Sequence, residues 1–406
     1  MRGLPALMFL TACLSRPVGI AGDASTGTDM GTDTSPLGVW PVPGVTIDRT
    51  LARDVDGDGT VDLIASSSEG VYVIAGGQNF GASYHAFVPT PFAPLAFDVA
   101  AFGGATAPEL AVLGLAGTTA RVLLFDGLGA FQFAAEGWRR DLVDLDSTAM
   151  ESCGLWLLDS DGDGGSNVVA ADSASVVVGE PAAFTEPNVF EMPVVRAEGA
   201  NNGYFTYPAN VFVLPGTGKA DLVIQGYYSV SRFRGDGQDH YRDADRTDIG
   251  GGPMYDVAAV ADLDGDDVPE VVGGYGGFLS GVAVEPGAFL DYQGPVVINH
   301  SVVRSIAARF GELDNDPSLR PDLLMMRHIA SSGPPTQTEL VLVPNLVITP
   351  GVVTTASSVI SLSFPGLSRA VEVGDFDHDG RAEIRIVADD GSLTCFRVGD
   401  GAFDPC

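Results

Sequence analysis

The sequence predicts an all-β fold assembled from seven repeated four-stranded units. Three observations carry this reading. The chain has 52 Gly and 26 Pro in 406 residues, so turns are frequent. Its apolar residues come in short runs rich in β-branched side chains, and no long amphipathic helical pattern stands out. An acidic loop recurs along the chain at a spacing of about fifty residues.

The first such loop, DVDGDGTVD at residues 54–62, places Asp54, Asp56 and Asp58 at alternate positions and closes on Asp62. Carboxylates this close repel one another, and burial would raise their pKa values. A hard cation removes the conflict. Calcium takes six to eight oxygen ligands and suits alternating carboxylates plus one backbone carbonyl, here that of Thr60. Gly57 and Gly59 permit the tight turn because they tolerate positive φ.

Aligned on its ninth position, the loop recurs at Asp62, Glu109, Asn167, Asp221, Glu270, Asp322 and Glu383, at intervals of 47 to 61 residues. Apolar runs such as LIA, VVA and VVG follow these positions, and runs such as DVAAF, LWLL and DVAAVA precede them. Each loop therefore joins two strands. Further on comes a second strand pair with a Gly-containing turn, as in VYVIAGGQNF, VLLFDGLGAF and FRVGDGAF. Four strands in about fifty residues is the size of one β-propeller blade. Seven units make a seven-bladed propeller over residues 38–406, with a solenoid as the alternative. Residues 38–43 are expected to pair with the last blade and close the ring, which removes exposed edges.

These DxDxDGxxD loops, with their FG and G…F hairpins, resemble FG-GAP or VCBS repeats, which build the N-terminal propeller of integrin α chains and many bacterial surface proteins. The resemblance spans nearly everything after residue 37. It implies calcium sites at four loops: Asp54, Asp56, Asp58, Thr60 and Asp62; Asp159, Asp161, Asp163, Gly165 and Asn167; Asp262, Asp264, Asp266, Val268 and Glu270; Asp375, Asp377, Asp379, Arg381 and Glu383. Thr60, Gly165, Val268 and Arg381 would offer backbone carbonyls. The sixth loop holds Glu312, Asp314, Asp316 and Asp322 but is two residues longer, a weaker candidate. The second loop, AFGGATAPE, and the fourth, VLPGTGKAD, lack the alternating carboxylates and are expected to be metal-free. An EF-hand would need an acid at position 12, where the four good loops carry Ala65, Ala170, Gly273 and Ile386.

Composition limits the partners. The net charge is −32 and Lys219 is the only lysine, which argues against nucleic acid and anionic membrane surfaces. No run of 18 apolar residues offers a transmembrane helix. Residues 1–12 resemble a lipoprotein signal ending at Leu10-Thr11-Ala12, which would leave Cys13 as a lipidated N-terminus; an ordinary secretory signal is the alternative. Residues 13–37 read as a flexible polar tether. Such a chain is expected on the outer membrane or outside a bacterium. Cys395 and Cys406 flank one hairpin turn, so an oxidising compartment favours a disulfide between them, with Cys153 left over and buried.

Two kinds of function fit. The first is a non-enzymatic binding or adhesion scaffold for protein or polysaccharide, monomeric and calcium-stabilised. The second is a polysaccharide lyase or hydrolase, which would need ionisable residues converging on the central channel. No nucleophile, base or cofactor motif supports the second. Arg234-Gly235-Asp236 reads as a Gly turn of the fourth unit rather than an adhesion ligand, and the five histidines show no metal spacing.

Overall fold

The computed structural model describes residues 45–77, 86–100, 107–129, 131–134, 138–142, 153–158, 167–171, 175–179, 188–191, 210–216, 219–225, 229–235, 241–251, 257–261, 270–275, 278–284, 288–292, 301–311, 313, 322–330, 334–349, 352–355, 359–388, 393–399 and 401–406. Between residues 171 and 308 the description extends to strand and register only. The signal, the tether, Cys13 and the segment 38–43 lie outside it.

All regular structure among the described residues is β. Seven sheets are built on four antiparallel strands each. Sheet 1 comprises Arg49–Arg53, Asp62–Ser67, Gly70–Ile74 and Ala86–Pro89, in that spatial order. Sheet 2 begins at Pro94–Ala100, sheet 3 at Gly154–Leu158, sheet 4 at Asn210–Gly216, sheet 5 at Val257–Ala261 and sheet 6 at Ser301–Gly311. Sheet 7 comprises Ser368–Gly374, Glu383–Ala388, Leu393–Gly399 and Ala402–Pro405. The first strand of each sheet touches the first strand of the next, and that of sheet 7 touches that of sheet 1.

This arrangement explains the apolar pattern. A sheet with neighbours on both faces buries both, so its strands read as continuous apolar runs rather than as an alternation. Asp62–Ser67 is buried at every position. Ile64 packs with Leu110 and Val112 of sheet 2, while Leu63 and Ala65 pack with Phe376 and Val387 of sheet 7. The same division separates Val71 and Val73 from Tyr72 and Ile74 on the next strand. Further core layers lie between sheets 2 and 3 and between sheets 6 and 7.

Unit six departs from the simple repeat. Between its third strand, Gln337–Val343, and its fourth, Ile360–Pro365, a hairpin of Leu346–Thr349 and Val352–Thr355 is inserted. That hairpin joins the outer edge of sheet 5 in parallel with Ala288–Tyr292. It covers an edge that would otherwise stay unpaired, and it accounts for the longest repeat interval. Arg234 and Gly235 belong to the strand Ser229–Gly235 rather than to a turn.

Cys395 and Cys406 are disulfide-bonded, with their Cα atoms 5.3 Å apart, and Cys406 N–H donates to the Cys395 carbonyl. Cys153 is buried and outside the disulfide, and its thiol donates to the Leu95 carbonyl at 3.6 Å.

Candidate functional site

Two acidic loops, 54–62 and 375–383, are described in full, and they lie side by side where sheets 1 and 7 meet. Val61 N–H donates to the Asp375 carbonyl, and Gly77 N–H donates to the Phe376 carbonyl at 2.6 Å. Thr60 Oγ1 lies 3.2 Å from His378 Nδ1.

In the first loop the alternating aspartates organise their own turn. Asp54 accepts from the N–H groups of Gly57 and Gly59, Asp56 from Asp58, and Asp58 from Thr60. Gly57 and Gly59 sit at φ of +78° and +87°, which an L side chain rarely adopts. Carboxylate oxygens of Asp54, Asp56 and Asp58 all lie within 4.8 Å of one another. Asp56 and Asp58 each give one oxygen to a backbone N–H, and the second oxygen is left for a cation. Burial, then the charges of Asp58 and Asp54, pushes the Asp56 carboxyl above its ordinary value. Three converging carboxylates on a glycine turn fit a calcium ion.

Asp62 does something else. It is 2% exposed and accepts from Val55 N–H at 2.7 Å and Gly76 N–H at 2.8 Å. It thus ties the loop's second residue to the end of the third strand. Burial chiefly pushes its carboxyl up to about 7. Asp322 repeats the arrangement in sheet 6, accepting from Leu313 N–H and Asn345 N–H, each at 2.8 Å. Glu383 takes Phe376 N–H at 2.8 Å in sheet 7. The motif marks this ninth residue as a metal ligand; its hydrogen bonds to backbone N–H groups are a second role that the structure adds. The signal was present: the position is acid or amide in all seven units, including the second and fourth, which lack the alternation.

The seventh loop has the same backbone, with His378 at φ +61° where the first has Gly57, and Gly380 at +85°. Asp375, Asp377, Asp379 and Glu383 bring oxygens within 4.8 Å of one another. One difference is chemical. The Arg397 guanidinium lies among these carboxylates, with Nη2 3.1 Å from Asp379 and 2.7 Å from Glu383, and in contact with Asp377. Its Nε also donates to Glu383 at 3.0 Å. A calcium ion at the seventh loop would therefore compete with a side-chain cation that already serves three of its four carboxylates.

Of the remaining candidates, Asn167 is buried at the start of the strand Asn167–Ala171, and Glu270 begins the strand Glu270–Tyr275. Asp159, Asp161, Asp163, Gly165, Asp262, Asp264, Asp266, Val268, Glu312, Asp314 and Asp316 lie outside the described residues. The Arg381 N–H donates to Asp379.

Ionisable groups on the first strands of the sheets link neighbouring sheets. Arg309 of sheet 6 makes a two-point ion pair with Glu372 of sheet 7, and Thr50 of sheet 1 donates to the same carboxylate. Arg53 of sheet 1 lies 3.6 Å from Asp98 of sheet 2, which also accepts Leu157 N–H of sheet 3. Carboxylates bound this way fasten sheet to sheet.

No family model and no curated protein matches the chain. Among solved structures it is similar to BBS1N in complex with ARL6DN. In a crystal soaked with lead the TM-score is 0.51 at 13% identity, over 88% of this chain and 96% of that chain. In one soaked with mercury it is 0.53 at 12% identity, over 87% and 94%. The likeness is one of fold: an all-β, β-propeller-like chain of antiparallel sheets.

Proposed function

We propose that this chain is a seven-bladed propeller of the FG-GAP or VCBS type, exported and tethered through Cys13 to a bacterial outer surface. There it acts as a calcium-stabilised, non-enzymatic binding scaffold. The observation that carries the reading is the convergence of Asp54, Asp56 and Asp58 on a glycine turn between two strands. The closed cycle of seven first strands supports the blade count.

Asp54, Asp56, Asp58 and the Thr60 carbonyl would hold the ion, and the same letters extend the proposal to the third and fifth loops. The ion supplies the positive charge that cancels carboxylate repulsion. Asp62 contributes by holding the loop to its sheet. The inner-strand pairs Arg309–Glu372 and Arg53–Asp98 are engaged between sheets, which favours a scaffold over a catalyst. The similar protein BBS1N was solved in complex with ARL6DN, so a protein ligand is the first to seek, and a polysaccharide the second.

The test is a calcium titration of the full chain with melting curves in calcium and in chelator. Extracellular modules bind at about 0.1–1 mM, so 1 mM calcium adds roughly 0.4–1.4 kcal/mol per site. A lower melting temperature in chelator is expected. An unchanged melt with no bound ion would sink the calcium reading, and release of reducing ends from a polysaccharide panel would overturn the non-enzymatic one.

A further inference from the structure

We infer that Arg397 is an intramolecular cation that takes the place of calcium in the seventh loop, so that the last blade holds its acidic turn without metal. The inference rests on the calcium reading of the other loops and departs from it at this one.

The sequence makes loops one and seven look alike. Both have aspartates at positions 1, 3 and 5, glycine at position 6 and an acid at position 9. Their structures agree in backbone and in most of the hydrogen bonds of positions 1, 3 and 5. Positions 3 and 5 accept from 5 and 7 in both, and position 1 accepts from 6 in both but also from Gly57 at position 4 in loop one and from Asp379 at position 5 in loop seven. They part at arginines: Arg385 on the second strand, with Nη2 3.8 Å from Glu383 where sheet 1 has Ile64, and Arg397 on the third, which alone reaches the aspartates. In sheet 7 the register pairs Ile384 with Phe396, which sets Arg397 opposite Glu383. In sheet 1 it pairs Leu63 with Ile74, which sets Ala75 opposite Asp62.

Arg397 is suited to the role. A guanidinium presents five N–H donors in a rigid fork and stays charged at any physiological pH. Here it reaches Asp377, Asp379 and Glu383 together, while the Asp375 carboxylate is held by the N–H groups of Asp379 and Gly380. Every carboxylate of the loop therefore has a hydrogen-bond donor or cation within the chain. A calcium ion would have to displace the guanidinium and strand its charge beside its own. Loop one has no such side chain opposite its ninth residue, and its three converging carboxylates are left to an external cation.

The test counts calcium ions on the full-length chain by equilibrium dialysis against calcium alone. Wild type, Arg397→Ala and Asp379→Asn are compared. The proposal expects one more ion per chain in Arg397→Ala than in wild type, and an unchanged count in Asp379→Asn. It also expects Arg397→Ala to melt lower than wild type in chelator and to regain most of the loss in calcium. A count that falls by one in Asp379→Asn would show that loop seven binds calcium despite Arg397, and overturns the proposal. So does an Arg397→Ala count equal to that of wild type. No ion on wild type but one on Arg397→Ala would sink calcium at the first loop while leaving the arginine assignment standing. No ion on either sinks both. Should Arg397→Ala fail to fold, Arg397→Lys, which keeps the charge, and Asp379→Asn carry the decision.

Discussion

Loops one and seven share Asp at positions 1, 3 and 5, Gly at position 6 and an acid at position 9, on nearly the same backbone, yet they differ in the side-chain cation at hand. The first gathers three carboxylates on a turn, and among the described residues no arginine stands opposite its ninth position, where Ala75 lies. The seventh gathers four and threads Arg397 between three of them. The motif thus specifies a shape, and the residue across the hairpin specifies what neutralises it. The placement has a mechanical sense. Sheets 1 and 7 meet where the chain's described beginning joins its end. One side of that seam is fastened internally, by Arg397 and by the Cys395–Cys406 disulfide. On the proposed calcium reading, the other side takes its cation from outside the chain.

What the two loops share is the ninth-residue clamp, and breaking it has the largest expected effect. Asp62→Ala leaves the N–H groups of Val55 and Gly76 without their acceptor, and Asp322→Ala does the same to Leu313 and Asn345. A buried donor stripped of its partner costs about 1–3 kcal/mol, so Asp322→Ala, which strips two, should lose about 2–6 kcal/mol in urea unfolding, and Asp62→Ala, where Gly76 is only half-buried, about 1–4 kcal/mol. Calcium should not rescue either loss. A drop below about 0.5 kcal/mol in both would show the ninth acid to be no clamp.

The next effect sharpens the covalent side of the contrast. The disulfide closes a separation of 11 residues. By loop entropy Cys406→Ser should cost about 2–3 kcal/mol, with the calcium response of the melt unchanged. A calcium response that changes with it would tie the bond to the metal loops.

The unit, its four strands and the acidic turns were legible because each is written in consecutive letters: Asp at alternate positions, Gly where φ turns positive, apolar runs on both sides. The clamp was legible in principle from Glu109 and Asp221, acids kept at position 9 in units without the rest of the motif. Arg397 was not. It follows Glu383 by 14 residues, whereas Ala75 follows Asp62 by 13. Only the register of each hairpin shows that the two occupy matching places, and a slip of one residue would turn the side chain to the other face. The inserted hairpin of unit six escaped for a similar reason: Leu346–Thr349 reads as one more apolar run, and its partner strand belongs to a different sheet.

A swap converts one loop into the other. Ala75→Arg places a guanidinium opposite Asp62, as Arg397 stands opposite Glu383. The variant should bind one calcium ion fewer than wild type. It should also forfeit the share of calcium stabilisation due to that site, about 0.4–1.4 kcal/mol at 1 mM. Ion count and the melting shift on chelation read both. An unchanged count would mean that register alone does not decide which cation a loop takes.

The smallest effect tests whether the two loops act as a pair. Thr60, the seventh residue of one, faces His378, the fourth residue of the other, across a gap of 3.2 Å. His378 holds a positive φ that glycine would adopt more cheaply, so its imidazole has a reason to be there beyond the turn. A double-mutant cycle of Thr60→Val and His378→Ala should return a coupling of about 0.5 kcal/mol, the lower end for one hydrogen bond. Run in calcium and in chelator, the same cycle asks a sharper question. If calcium fixes the Thr60 carbonyl, it also fixes the side chain that meets His378, and the coupling should be larger with the ion than without it. Equal couplings would make the contact a passive feature of the seam. The metal-dependent loop would then respond to calcium without informing the arginine-held loop beside it.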